Sequence, residues 1–499
     1  MRCRRRLLAA CIVASGVAAF GVLGGAAAGQ ERPDLDWPQF QGGSAHGGSL
    51  PDGVQPPYRL RWTLSPPAGN ALSPAILIGE LAITIGSEAV YGVDRSTGAV
   101  SWSIPRAGGL LSAPAAASVG GRDVLAYLEG PTARASPTAT PSPAATPSAS
   151  PTGTEPEDAD RVSSLVVVDL ADRSELWRVP LQAPSRSGVT IEGDVAYVGD
   201  QGGNVFAFAL ADGSPVWAEP ASVPGRLDAP VAVDGDTVYA VVRDLDEVRV
   251  SVVALDASSG ERTWAVGIQT SSTAGSAPSV GAAGVIVGSA DRVVRELAAA
   301  DGDQVWSSLV LSLFSPSTSP AVAEDALFAA DVSGGLYRLD AADGRRGWSY
   351  QFNEVVIRSA PVVSGPTVLL GLDDGRLVAV DAERGRLIWQ SDPTPGAIGA
   401  IAVSDDVLVA VRVGNRGGLA AFEHDPEGAL IDVPSPTELV VGTTLGRYAL
   451  AAAIVFVLAV VPGMLLARRL GPPRLELSEG EQNAISDELD GSTDGSGDA

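Results

Sequence analysis

Leu339-Asp340-Ala341-Ala342-Asp343-Gly344, with Trp348 four residues beyond the glycine, is the stretch that decides the fold. The same text stands at Val93-Asp94-Arg95-Ser96-Thr97-Gly98 before Trp102. It returns at Leu255-Asp256-Ala257-Ser258-Ser259-Gly260 before Trp264 and at Val380-Asp381-Ala382-Glu383-Arg384-Gly385 before Trp389. Gly stands four residues before Trp in six of seven units, with Gly213 before Trp217 and Gly302 before Trp306; Arg173, before Trp177, is the exception. Asp stands eight before Trp in five units, Asp169 included, while Ala209 and Ala298 depart. This spacing is hairpin chemistry. The Asp ends one strand and its carboxylate accepts N–H groups of the turn. The Gly supplies a positive φ. The next strand then carries Trp as a large apolar wedge.

Working outward, the units have a period. From Trp62 the tryptophan intervals are 40, 75, 40, 47, 42, 42 and 41 residues. The interval of 75 holds a Pro/Ser/Thr/Ala run, residues 131–160, that cannot pack a core and reads as an extended, disordered loop. A small residue and Pro open most units, as in Ser73-Pro74, Ala113-Pro114, Ala229-Pro230, Ala277-Pro278, Ser319-Pro320 and Ala360-Pro361. Four short strands per unit of about 41 residues fit one propeller blade. Seven units end at Trp102 through Trp389, and residues 398–424 supply three strands with no Trp. Trp62, in Tyr58-Arg59-Leu60-Arg61-Trp62, is the spare outer strand that completes them. The expectation is an all-β, eight-bladed propeller of four-stranded blades over 30–424, its two ends zipped together so that no open sheet edge remains.

The units resemble the pyrroloquinoline-quinone-type propeller repeat, Asp-x-x-x-Gly-x-x-x-Trp, over about residues 58–425. Asp36-Trp37-Pro38-Gln39-Phe40-Gln41-Gly42 is similar to the lead-in of such proteins. The resemblance implies one of two branches. Quinoprotein dehydrogenases bind the quinone, usually with Ca²⁺, on the propeller axis. Non-catalytic scaffolds, such as the outer-membrane assembly lipoprotein BamB, share the eight blades. The dehydrogenase branch often carries a vicinal Cys pair over the cofactor, and the only cysteines here, Cys3 and Cys11, precede the propeller.

Charge and targeting segments set the compartment. The net charge of −25 argues against a nucleic-acid partner. Residues 1–29 combine Arg2, Arg4, Arg5 and Arg6 with an apolar run ending in Ala26-Ala27-Ala28, the parts of a secretory signal peptide. An uncleaved N-terminal anchor is the competing reading. Residues 448–467 are uncharged and long enough to cross a bilayer as a transmembrane helix. Arg468-Arg469 and Arg474 place that end in the cytoplasm by the positive-inside rule. Residues 425–447 then form a stalk, and 468–499 form an acidic, disordered cytoplasmic tail. The expected location is the cell membrane, single-pass, with the propeller extracytoplasmic.

No chemistry stands out in the body. It contains two histidines, His46 and His424, so a His base has little to draw on. Asp244, Asp246 and Glu247 place three carboxylates within four residues, but the spacing is not that of an EF-hand and reads as a solvated loop. Asp373-Asp374 and Asp405-Asp406 read as turns. His46, within Gly42-Gly43-Ser44-Ala45-His46-Gly47-Gly48, reads as part of a flexible lead-in, and His424 as structural. The leading functional expectation is a non-catalytic scaffold, without cofactor or metal, tethered by its helix and presenting a face to a protein partner in the cell envelope. The alternatives are a membrane-bound quinoprotein oxidoreductase using the quinone with Ca²⁺, and an envelope sensor signalling through the acidic tail.

Overall fold

The repeat begins to form structure at its turn. Asp94 Oδ1 accepts the N–H groups of Ser96 and Thr97, at 3.0 and 2.8 Å, together with both hydroxyls. Those donors hold the Asp94 carboxyl down at about 2. Gly98 follows at φ +75°, and its N–H returns to Asp94 O at 2.8 Å. Asp256 and Asp381 cap their turns in the same way. Where Ala209 and Ala298 replace that Asp, the acid next to the glycine takes over: Asp212 caps Ser214 and Asp301 caps Asp303. Arg173, the non-glycine of the series, adopts the same left-handed conformation at φ +65°.

The computed structural model describes residues 36–66, 71–133, 161–244, 246–270, 276–310, 319–414 and 417–431. Over these, the turns join antiparallel strands into eight sheets of four or five strands. In chain order the blades cover 76–105, 115–180, 189–222, 226–270, 279–309, 321–351, 362–390 and 397–424, here called blades 1 to 8, with strands a to d within each. First strands of successive blades lie against one another from blade 2 through blade 8 and back to blade 1. The a strands therefore surround the axis, and the d strands, with alternating exposure, form the rim. The eight four-stranded blades expected from the repeat are present. Ring closure is by Tyr58–Leu64, which pairs antiparallel with Gly418–His424 as strand d of blade 8, Trp62 opposite Ala421. The expected signal segment 1–29, residues 134–160 of the expected insertion 131–160, the expected membrane span 448–467 and the tail 468–499 lie outside the described residues. Among the described residues no helix is long and apolar enough to cross a membrane.

The core sits between blades. One cluster joins Val124, Leu128 and Val167 of blade 2 to Val189, Val198 and Phe206 of blade 3. Another joins Leu327, Leu339 and Tyr337 of blade 6 to Ile286, Val294 and Trp306 of blade 5. A blade is a single sheet and buries its apolar faces only against its neighbours.

The repeated tryptophans fasten these layers at the rim. The Trp217 indole of blade 3 lies over Gly260 of blade 4, and its Nε1 donates to Ala257 O at 2.9 Å. Trp62, Trp177, Trp264, Trp306 and Trp348 repeat the arrangement on Gly98, Gly213, Gly302, Gly344 and Gly385 of the next blade. The glycine thus answers two demands, a left-handed turn and a bare surface for an indole. Two tryptophans differ, each for a local reason. Trp102 has Arg173 rather than glycine at the corresponding turn of the next blade, and its ring lies over Gly92, its cross-strand partner. Trp389 faces blade 8, which has no c–d turn because its d strand comes from the start of the chain; it packs edge-on against Tyr58 and Phe422.

This pairing gives a double-mutant test. Trp217→Ala removes a side chain only 3% exposed and should cost about 3–5 kcal/mol. Gly260→Ala places a Cβ 2.6 Å from the Trp217 ring at φ +75° and should cost about 1–3 kcal/mol. In urea unfolding the double variant should be less damaged than the sum, because removing the ring removes the clash. Strict additivity would contradict the docking.

Candidate functional site at the propeller axis

An a strand has one edge bonded to strand b and one edge facing the axis. Eight unpaired edges around an axis are a liability, since buried N–H groups need partners. Residues 37–54 meet that need. They run once around the inside of the ring. Leu77 N donates to Trp37 O, Ala116 N to Pro38 O, and Ile191 N to Gln39 Oε1. Val233 N then donates to Ser44 O, Val280 N to Ala45 O, Val322 N to Gly47 O and Val363 N to Gly48 O. Ser49–Leu50 adds a parallel strand to blade 7, and Val54 N donates to Ser404 O of blade 8. The segment thus touches every blade in chain order.

This corrects the reading of residues 42–48 as a flexible lead-in. His46 is fully buried. Its Nδ1 lies 2.9 Å from Pro278 O, which only accepts, so Nδ1 carries the proton. Phe40 stacks edge-on against the imidazole at 5.1 Å. Burial lowers the His46 pKa to about 4, partly offset by the Pro278 bond, so the ring is neutral at pH 7. Gln39 holds both backbone groups of Ile191, at 2.8 and 2.9 Å. Gly48 serves close approach: at φ +62° it leaves 3.2 Å between a notional Cβ and Ala321 Cβ.

The belt also stops the axis. Trp37, Phe40 and Gln41 meet a-strand residues of blades 1, 7 and 8 around a space of about 30 Å³. On the side of the b–c and d–a loops, called the loop face, a larger cavity of about 490 Å³ opens beside the axis between blades 1 to 4. Its walls include Phe40, Leu110, Leu111 and Pro230, and its polar groups are Ser112, Arg186, Ser187 and Asp228. The insertion after Ala133 leaves blade 2 between strands b and c, on this same face.

The acidic groups noted in the sequence are spent on local structure. Asp244 Oδ1 accepts the N–H groups of Asp246 and Glu247, both at 3.0 Å, and Glu247 pairs with Arg249. Asp373 accepts Val356 N at 2.9 Å, and Asp374 pairs with Arg376. Asp406 accepts the Ser404 hydroxyl and lies 3.5 Å from Arg95. His424 Nδ1 is 2.9 Å from Gln55 O at the zipped closure. None of these groups is brought to the axis. Among the described residues no three His, Cys, Asp or Glu side chains converge as a cation site.

The fold and axis define a propeller of the pyrroloquinoline-quinone-type repeat class. The chain belongs to the family whose model is described as outer membrane protein assembly factor BamB, which matches residues 161–266 and 224–424. Among solved structures, BamB from Moraxella catarrhalis is similar at 16% identity and a TM-score of 0.52, over 73% of this chain and 99% of that one. The quinohemoprotein alcohol dehydrogenase ADHIIG from Pseudomonas putida HK5 is similar at 11% identity and 0.57, over 81% and 82%. That from Comamonas testosteroni gives 12% and 0.55, over 83% and 85%. At these identities the likeness is one of fold. A search of curated proteins finds no match.

A quinone with Ca²⁺ asks for converging carboxylate and carbonyl oxygens around a planar slot. Here the belt fills one end of the axis with Trp37, Phe40 and Gln41, and the a strands begin with Pro, Ala and Ser. The donor set among the described residues does not fit that cofactor.

Two measurements test the belt. Gln39→Ala leaves both backbone groups of Ile191 without their buried partner and should cost about 2–4 kcal/mol in urea unfolding. For His46, the folded-state pKa lies below the unfolded value, so the unfolded chain binds the proton first. Stability is then full above about pH 6.5 and falls as pH drops toward 4, by about 3 kcal/mol. Compared with His46→Gln, the native protein should lose that amount over this window; parallel pH profiles would contradict a buried neutral imidazole.

Proposed function

We infer that this protein is a non-catalytic binding platform, an extracytoplasmic propeller that presents its loop face to a protein partner in the cell envelope. The observation that carries the reading is the belt. It bonds to the inner edge of every blade and packs Trp37, Phe40 and Gln41 inside the ring, which suits a closed support better than a cofactor slot. Membership in the BamB family supports a protein-binding role. The chain leaves blade 8 at Asp425 on the side of the c–d turns, opposite the loop face. The basic–apolar segment 1–29 and the apolar run 448–467 followed by Arg468-Arg469 support export and a C-terminal membrane anchor.

Two experiments test this. A photo-cross-linking residue at Arg292, on a b–c loop, should capture one reproducible partner in the native envelope. The same probe at Asp194, on an a–b turn of the opposite side, should not. Equal capture from both positions would remove the platform reading. Protease added to intact cells should digest the tail 468–499 only after lysis; digestion beforehand would reverse the assigned orientation.

A further inference from the structure

The serine that opens a blade has a repeated task. Ser73 Oγ accepts Ile85 N at 2.9 Å, Ser187 accepts Gly199 N at 3.0 Å, and Ser276 and Ser359 accept Gly288 N and Gly371 N at 2.8 Å. Each hydroxyl ties the start of strand a to the end of strand b. Ser112 holds this place in blade 2, and there the task is gone. Strand b of blade 2 runs on to Ala133. The d–a loop fills the gap instead, with Gly130 N on Gly108 O and the Arg106 guanidinium on Leu128 O, both at 2.9 Å. Ser112 is 4% exposed, and its Oγ is the one buried side-chain hydroxyl among the described residues without a hydrogen-bond partner. A buried hydroxyl left unmade is costly unless something else meets it.

Ser112 lines the 490 Å³ cavity of the loop face. Arg186 lines it too, exposed and without a partner among the described residues. The other two polar groups are already engaged: Ser187 with Gly199, and Asp228 with Arg243 at 3.0 Å and Gln201 at 3.2 Å. Phe40, Leu111 and Pro230 supply apolar wall. The volume falls within the range of small-ligand sites.

We propose that this cavity binds a monocarboxylate with a short aliphatic body, the carboxylate taken by Arg186 and the Ser112 hydroxyl. The guanidinium fork matches a carboxylate, and the hydroxyl supplies one more donor. The nearby Asp228 charge disfavours a dianion such as a phosphate monoester. The apolar wall takes the body. This goes beyond the platform reading and does not depend on it, since the pocket fills whether or not a larger partner docks. The shared chemistry has two sources, a free organic acid or the C-terminal residue of a peptide.

The test is calorimetric titration of the full-length protein in mild detergent with N-acetyl-leucine and with N-acetyl-Ala-Ala-Ala-Leu bearing a free C-terminus. Saturable binding of either is expected, and the tighter of the two identifies the source. N-acetyl-leucinamide should bind at least about 10-fold more weakly. Arg186→Gln should weaken binding about 10- to 100-fold, the loss of a charged hydrogen bond, and Arg186→Lys less. Ser112→Ala should weaken it about 3- to 10-fold while leaving the melting temperature unchanged or raised, because it removes an unsatisfied buried group. A serine with a structural role would show the reverse, a lower melting temperature with binding intact. Absence of saturable binding by both ligands, equal affinity for the amide, or an unaffected Arg186→Gln variant would overturn the proposal. That failure would leave the cross-linking contrast between Arg292 and Asp194 standing.

Discussion

A four-stranded blade cannot stand alone, and everything else in this protein follows from that. Its two faces are apolar and its two edges carry unpaired backbone groups. The faces are covered by neighbouring blades, which is why each core cluster spans an inter-blade gap. The ring must then close, because an open ring leaves two faces bare. Closure falls to Tyr58–Leu64, a strand drawn from the far end of the chain onto Gly418–His424. The outer edges remain at the rim, and the inner edges receive the belt.

The repeat residues serve the gaps rather than the single blade. Trp at the rim and Gly at the c–d turn belong to adjacent blades, and the hydrogen bond from Nε1 fixes their register. Arg173 shows the rule by exception. It keeps the left-handed backbone that the turn requires, at φ +65°, without being glycine. The tryptophan of the preceding blade, Trp102, lies over its own cross-strand partner, Gly92. One residue thus separates the two demands that glycine meets together elsewhere.

The belt links fold to function. Propeller axes are natural ligand sites because every blade sends a strand end there. In this chain a segment of the same polypeptide occupies that position, its His46 buried and neutral. On the loop face a cavity opens among blades 1 to 4, beside the extended strand of blade 2 that breaks the symmetry.

The sequence by itself determined the blade number, the strand order and the closing strand. Those features are written locally, in Asp-x-x-x-Gly-x-x-x-Trp and its period, and a turn needs only its own residues. It did not disclose the belt. Gly42-Gly43-Ser44-Ala45-His46-Gly47-Gly48 has the composition of a flexible linker, and the strand edges it bonds are far away in the chain, from Val233 to Val363. Nor did it single out Ser112, which has the same Ser-Ala-Pro context as Ser276 and Ser359. Only the tertiary structure decided its role, because whether that hydroxyl is satisfied depends on where strand b of the same blade ends and on what the preceding loop places beside it.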